Sequence, residues 1–156
     1  MAKTELTRLA ENMIYGHTNK MGTFGCFEVT IGWFGKEIVD FITYDTNAEV
    51  RCYEIKVSKA DFKSEAKKTF IGHFNYFIMP ESLYKQLMSE PQSGLKGWIN
   101  YGVGVYIFDE KFKWECIKKA KRKNVTHSKI AEILESMLRS TNREMKKLYK
   151  MKPYWE

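Results

Sequence analysis

The stretch that decides the fold runs from residue 37 to residue 62 and reads EIVDFITYDTNAEVRCYEIKVSKADF. Two segments rich in β-branched and aromatic residues, Glu37–Tyr44 and Val50–Val57, flank the polar residues 45–49, a composition typical of two strands joined by a turn. Upstream, Cys26–Trp33 alternates apolar and polar residues as a strand does. These patterns together predict a three-stranded antiparallel meander.

Helices are predicted on both sides of this meander. Apolar residues recur at helical spacing from Thr4 to Tyr15. Ser58 followed by Asp61 resembles a capping box that opens a second helix, which is predicted to continue to about Thr69. Side chains four residues apart share one face of a helix, so the second helix is basic on its outward side. The lysines of this face are Lys59, Lys63 and Lys67.

The second half of the chain adds further strands and helices. We predict a strand at Phe74–Met79, a short helix at Glu81–Met88, a loop at 89–97, and a hairpin of Trp98–Phe108 and Phe112–Ile117. Thr126 caps a final long helix with an apolar face. That face comprises Ile130, Ile133, Leu134, Met137 and Leu138. The mixture predicts an α/β protein whose mixed central sheet is flanked by helices.

Length and composition fit a single domain spanning residues 1–156. Hydrophobic residues make up 44% of the chain and charged residues 29%, ordinary values for a globular protein. No apolar run is long enough to cross a membrane, and the N-terminus lacks the apolar core of a signal peptide. The three cysteines and three histidines show no metal-ligand spacing. We therefore expect a cytoplasmic or nucleoid-associated protein with no membrane partner.

The formal charge of +7 is concentrated at the C-terminus. Residues 1–110 carry 12 Lys and Arg against 14 Asp and Glu, whereas residues 111–156 carry 14 against 5. The densest basic run comprises Lys118, Lys119, Lys121, Arg122 and Lys123. This asymmetry predicts an acidic partner, of which nucleic acid is the commonest. A basic face that only keeps the protein soluble remains the alternative.

The candidate chemistry lies in the strand that contains Glu54 and Lys56. Side chains alternate along a strand, so these two project from the same face. A surface salt bridge is one interpretation of such a pair. However, the neighbouring antiparallel strand can bring Asp40 beside Glu54, and two carboxylates near a lysine suit a hard divalent cation such as Mg²⁺ or Mn²⁺.

Hydrolysis of a phosphodiester bond would use these residue types together. A Mg²⁺ ion held by Asp40, Glu54 and the backbone carbonyl of Ile55 would neutralise charge on the scissile phosphate and lower the pKa of a bound water. Lys56 would orient that water or stabilise the transition state. The sequence thus predicts a metal-dependent phosphodiesterase site.

These residues resemble the core of the PD-(D/E)XK nuclease superfamily, which has the restriction-endonuclease-like fold with the order αβββαβ. The resemblance rests on Asp40, a 13-residue gap and the triplet 54–56, placed on a helix, three strands, a helix and a strand. The run 53–62 and the strand 75–80 are similar to the MmcB-like DNA-repair branch. The resemblance covers residues 4–110 and leaves 111–156 as a basic extension.

The resemblance implies metal ligation by Asp40 and Glu54, catalysis by Lys56 and phosphate contacts from Lys67. It also implies a further acidic residue, for which Glu28 on the first strand is preferred to Glu5 on the first helix. Val39 stands where the superfamily's nominal motif has proline. The implied activity is a Mg²⁺-dependent DNA endonuclease of repair, recombination or phage DNA processing.

Several alternatives stay open from the sequence. One is a nuclease-fold module that binds DNA through Lys59, Lys63, Lys67 and the C-terminal basic segment, including the run 118–123, without cutting it. Another is an RNA-directed nuclease, which would share the same residues. The basic extension could bind DNA, form a homodimer or recruit a protein partner. Exposed aromatic side chains beside a basic surface could stack on unpaired bases. The candidates for stacking are Trp33, Phe34, Tyr154 and Trp155.

Overall fold

The computed structural model describes residues 3–64 and 68–156. The helices in these ranges are α1 (Glu5–Thr18), α2 (Lys59–Lys63), α3 (Glu81–Ser89), α4 (Leu95–Tyr101) and α5 (His127–Met151), with a 3-10 turn at Pro91–Ser93. The strands are β1 (Thr23–Thr30), β2 (Ile38–Asp45), β3 (Val50–Ile55), β4 (Phe74–Pro80), β5 (Gly104–Phe108) and β6 (Trp114–Lys118). Of the helices described, none is long and apolar enough to cross a lipid bilayer.

The strands form one six-stranded mixed sheet in the order β1-β2-β3-β4-β5-β6. β1, β2 and β3 are antiparallel, β3, β4 and β5 are parallel, and β6 returns antiparallel to β5. The predicted α/β class with a mixed central sheet flanked by helices is confirmed, and so is the N-terminal meander. Phe41 of β2 lies opposite Tyr53 of β3, so Asp40 comes next to Glu54 at the ends of these strands.

Helices cover both faces of the sheet. Ala10 and Ile14 of α1 pack against Phe41 and Tyr53 on one face. On the other face, α5 packs over the β1 side of the sheet, whereas α3 and α4 pack over β4 and β5. Glu54 lies opposite Phe77 of β4 in register, so its side chain is on this second face of the sheet. It lies between α5 on one side and the pair α3 and α4 on the other.

The basic C-terminal helix α5 is packed against the body of the protein. Ile133 and Met137 are buried in the cluster that contains β1 and β2 residues, and Ser136 Oγ accepts a 3.0 Å hydrogen bond from the Gly32 N–H. Leu138, predicted on the same apolar face, is 69% exposed. Packing therefore uses a narrower face than the predicted one, and it fixes the direction in which the basic face of α5 points.

The helix that follows β3 is shorter than predicted. α2 ends at Lys63, and Ser64 adopts an extended conformation with its Oγ donating to the Asp61 carbonyl oxygen (2.8 Å). The prediction of a helix through Thr69 is wrong, because this serine side chain bonds to the carbonyl three residues back and closes the last turn. Lys67, predicted on the lysine face, lies outside the described residues.

The long strand predicted from Trp98 to Phe108 is also wrong. α4 occupies its first part and begins inside the stretch 89–97 that was predicted as a loop. Gly102 ends α4 in the left-handed conformation (φ +111°), and the strand begins at Gly104. A short apolar and aromatic run fits either a helix or a strand, so its burial context decides the conformation.

β1 lies three residues closer to the N-terminus than the predicted Cys26–Trp33. Gly32 adopts a φ of +77° and turns the chain away from the sheet two residues after the strand ends. The alternation of side-chain types continues past Thr30, and for this reason the sequence predicts a strand that extends to Trp33. As a result Trp33 lies in the loop between β1 and β2.

The N-cap of α5 gives a direct test of how this helix is stabilised. Thr126 Oγ1 accepts a 3.1 Å hydrogen bond from the Lys129 N–H. Thr126→Ala is expected to lower the free energy of unfolding by about 1 kcal/mol, because one helix N–H loses its partner. Urea denaturation measures the change, and Ser128→Ala, an exposed position two residues later, is the matched control. Equal stability of the parent and Thr126→Ala would contradict the assignment.

Candidate active site

Asp40 and Glu54 lie side by side, near the beginning of β2 and the end of β3. The Asp40 carboxylate accepts a 2.8 Å hydrogen bond from the Ile55 N–H, which fixes it against β3. Burial raises the pKa of Asp40, while the Ile55 N–H and the Lys56 ammonium act in the opposite direction. The predicted pairing of the two carboxyl groups across neighbouring strands is therefore present in the structure.

Glu54 is buried, with only 4% of its surface exposed. Within the described part of the chain its Oε1 atom has no hydrogen-bond partner. Burial, followed by repulsion from Asp40, raises the pKa of Glu54 to about 8, and Lys56 opposes the shift. A buried carboxyl oxygen without a partner is costly and is found where a site awaits a cation or a proton.

Lys56 is also buried, since only 7% of its side chain is exposed. The Lys56 ammonium lies 3.9 Å from the Asp61 carboxylate. The Lys56 backbone N–H donates to the Ile78 carbonyl oxygen (2.9 Å) and extends the β3–β4 pairing. Asp61 in turn accepts a 3.0 Å bond from the Val57 N–H. The surface salt-bridge interpretation is wrong, because Glu54 and Lys56 both lie below the surface.

A cavity of about 860 Å³ opens over these side chains. Its floor contains Asp40, Glu54 and Lys56, and Asp61 lies on its wall. The N-terminal part of α1 and the C-terminal part of α5 form the other walls. The predicted catalytic residues therefore share one open cavity whose lining includes many charged side chains.

Glu28 lines the same cavity, but its surroundings differ from those of Asp40 and Glu54. It has a φ of +51°, rare for a residue other than glycine, and its exposed carboxylate lies 3.3 Å from the Lys3 ammonium. Glu11 of α1 pairs with the same lysine at 2.8 Å. Glu5, the alternative on the first helix, is absent from the cavity wall, whereas Glu11 one and a half turns later is present.

Of the predicted nucleic-acid-binding residues, those that the structure describes do not line this cavity. Lys59 forms a 2.7 Å ion pair with Glu90, and Lys63 is exposed on α2. The run from Lys118 to Lys123 begins at the last residue of β6, and the Lys123 ammonium donates to the carbonyl oxygen of Phe70 (2.8 Å). Their roles in binding remain predictions about a second region of the surface.

The cavity instead receives basic side chains that the sequence analysis did not single out as site residues. Arg143 and Lys147 of α5 lie on its wall, as do Lys36 of the β1–β2 loop and Lys3. Arg143 and Lys147 are four residues apart and share one helix face, a spacing visible in the sequence. The sequence does not reveal that this face turns toward Asp40 and Glu54, because that depends on how α5 docks on β1.

The residues at the cavity floor are compatible with a magnesium or manganese ion. The described residues contain no group of three His, Cys, Asp or Glu side chains arranged to hold a metal. Mg²⁺ is commonly held by one or two carboxylates and completes its coordination with waters and substrate phosphate. Asp40 and Glu54, with the unpartnered Glu54 Oε1, supply such a pair. The Ile55 carbonyl stays a predicted ligand.

Comparison with known proteins supports the fold and leaves the activity open. The chain matches no protein-family model. It is similar in structure to the SPO1766 protein of unknown function from Silicibacter pomeroyi, with a TM-score of 0.72 over 94% of this chain and 93% of that chain, at 15% identity. An identity this low shows a shared fold only.

A curated relative matches part of the chain. It is zinc finger CW-type PWWP domain protein 2 of Homo sapiens, 23% identical over 108 residues. The match covers 69% of this chain and 30% of the human protein. The chain thus spans less than a third of that relative. A partial match of this kind assigns no activity to the chain.

Proposed function

We propose that this protein is a metal-dependent DNA nuclease that hydrolyses phosphodiester bonds in DNA repair, recombination or phage DNA processing. The observation that carries the proposal is the juxtaposition of Asp40, Glu54 and Lys56 at the floor of one open cavity. A buried and a half-buried carboxyl group that repel each other, next to a buried ammonium, are unfavourable for stability alone. Such an arrangement is typical of a catalytic site.

Each of these side chains has a distinct role in the proposed reaction. Asp40 and Glu54 hold the cation, and the Ile55 N–H keeps the Asp40 carboxylate oriented toward Glu54. Lys56 presents its ammonium to the scissile phosphate or to the attacking water. Asp61 is a positioning residue, because its carboxylate holds both the Val57 N–H and the Lys56 ammonium.

When bound, Mg²⁺ or Mn²⁺ supplies charge neutralisation at the phosphate and a water of lowered pKa. The surrounding protein supplies positive charge for a polyanionic substrate. Arg143 and Lys147 line the cavity, each within 4 Å of Glu144, and the chain as a whole carries +7. Long-range attraction to DNA follows from this charge. The proposal places the enzyme in the cytoplasm, including that of a phage-infected cell.

The proposal is tested by cleavage of supercoiled plasmid, single-stranded and branched DNA with Mg²⁺, Mn²⁺ or EDTA. We expect cleavage that requires the metal. Asp40→Asn is expected to need at least about tenfold more Mn²⁺ for half-maximal cleavage, because one of two charged ligands is lost. Asp109→Asn, in the β5–β6 turn, is the matched control.

Other outcomes lead to the alternative functions. DNA binding without cleavage under every metal condition would contradict the nuclease proposal and favour a non-catalytic DNA-binding module. Metal-dependent cleavage of RNA in preference to DNA would replace the substrate and keep the site. Cleavage that is unchanged in Asp40→Asn at limiting Mn²⁺ would refute the assignment of this carboxylate.

A further inference from the structure

Two large aromatic side chains are displayed at the tip of the β1–β2 loop. Trp33 is 72% exposed and Phe34 is 99% exposed. The loop beneath them is tightly closed, because the Ile31 N–H donates to the Glu37 carbonyl oxygen (3.0 Å) and a Cβ atom at Gly35 would overlap the Ile31 carbonyl. Exposing two such side chains side by side costs solubility and needs an explanation.

The aromatic tip is joined to α5 by a cation–π contact. The Arg139 guanidinium lies 4.2 Å from the centre of the Trp33 ring. This contact orients the indole while most of its surface stays open to solvent. A planar ring held in place and still accessible is suited to stacking on a nucleobase.

Basic residues connect this aromatic tip to the cavity. Arg143 and Lys147 follow Arg139 at intervals of four residues, so the three lie along one face of α5. Lys36 comes from the same loop as Trp33. Lys36, Arg143 and Lys147 all line the cavity that contains the Asp40 and Glu54 carboxyl groups. The face of α5 from Arg139 to Lys147 thus links the aromatic tip to the lining of the cavity, where Glu144 lies beside Arg143 and Lys147.

We infer that this surface binds an unpaired nucleic-acid strand and leads it into the cavity. The strand-binding surface comprises Trp33, Phe34, Lys36, Arg139, Arg143 and Lys147. Bases of a single strand expose their faces to the aromatic rings, whereas a duplex exposes such faces only at its ends. The inference relies on the proposed function only for the cleavage of the bound strand. Binding of the strand does not depend on cleavage.

The experiment measures binding by fluorescence anisotropy in EDTA, so that it does not depend on cleavage. The probes are labelled oligothymidylate and oligouridylate of about 15 nucleotides and a blunt duplex of the same length. We expect the parent to prefer the single strands. Trp33→Ala and Phe34→Ala are each expected to weaken single-strand binding roughly 5- to 150-fold and to leave duplex binding within about twofold.

Controls separate stacking from loss of structure. Trp33→Phe retains an aromatic ring and is expected to recover most of the affinity. Tyr101→Ala removes an aromatic side chain that is 80% exposed on α4, outside the strand-binding surface, and is expected to leave the affinity unchanged. In the parent, tryptophan fluorescence is expected to be quenched by the single strand, and Trp33→Ala is expected to remove most of this quenching.

The outcomes distinguish this inference from the nuclease proposal. Selective loss of single-strand binding in Trp33→Ala supports the inference even if no condition yields cleavage, and the two labelled strands show whether DNA or RNA is preferred. Equal losses on single strand and duplex, or no loss on either, would overturn it. Metal-dependent cleavage combined with unchanged single-strand binding in Trp33→Ala would overturn this inference alone.

Discussion

Raising the pH of the metal-free protein from about 5 to about 9 is expected to lower its free energy of unfolding by on the order of 3 kcal/mol. The cause is Glu54, whose pKa is raised from 4.5 to about 8 by burial and by Asp40. Between these values the folded protein holds a proton that the unfolded chain has lost. Stability is therefore complete below about pH 4.5 and is lost as the pH rises through 8.

Thermal unfolding in EDTA at several pH values measures this effect, and a decrease of roughly 10 °C is expected in the midpoint. Glu54→Gln removes the ionisable group and is expected to abolish most of the decrease. Glu115→Gln changes an exposed carboxylate on β6 and should leave the decrease intact. A flat profile in the parent, or the same profile in Glu54→Gln, would show that Glu54 is ionised at neutral pH.

The same titration tests metal binding without an activity assay. A cation favours the ionised carboxylates, so its binding releases protons and stabilises the folded state. Mn²⁺ is expected to raise the midpoint of the parent at about pH 9 and to have little effect on Glu54→Gln. Equal stabilisation of both proteins would place the bound ion elsewhere.

The floor of the cavity could be predicted from the sequence because it depends on local rules. Alternation along a strand puts Glu54 and Lys56 on one face, and a short connection between two antiparallel strands brings Asp40 beside them. Both rules operate within a span of about twenty residues and need no knowledge of the helices. The register of Phe41 opposite Tyr53 confirms this part of the prediction.

The walls of the cavity could not be predicted in the same way. The direction in which Arg143 points depends on the packing of Ile133 and Met137 against β1, more than 100 residues earlier in the chain. Helical periodicity identifies the faces of α5 and gives no information on the strand that receives them. The prediction of a strand that begins at Trp98 was wrong for a related reason, since tertiary packing decides the conformation of this run.

Lys56→Met is expected to lower the single-turnover rate of DNA cleavage by about 10²- to 10³-fold while leaving DNA affinity within a few-fold of the parent. The reason is the position of the Lys56 ammonium, which is buried beside Asp61 and faces the cavity rather than the bulk solvent. In the proposed reaction its charge acts at the reacting phosphate, whereas overall attraction to DNA would come from many exposed side chains.

Methionine nearly matches the shape of lysine, so the variant separates loss of charge from loss of packing. Replacing Lys56 leaves the Asp61 carboxylate without its cation, but that carboxylate keeps its hydrogen bond from the Val57 N–H, is 39% exposed and can be hydrated. We therefore expect Lys56→Met to stay folded, as judged by circular dichroism and by an unchanged unfolding midpoint within a few degrees.

Lys85→Met is the matched control, because the exposed Lys85 pairs with Glu81 on α3 and lies outside the cavity. Its cleavage rate is expected to stay within about threefold of the parent rate, since surface ion pairs contribute little. A cleavage rate in Lys56→Met close to that of Lys85→Met would remove Lys56 from the reaction. A parallel loss of DNA affinity and rate would instead make Lys56 a binding residue, because only an interaction specific to the transition state changes the rate of the bound complex.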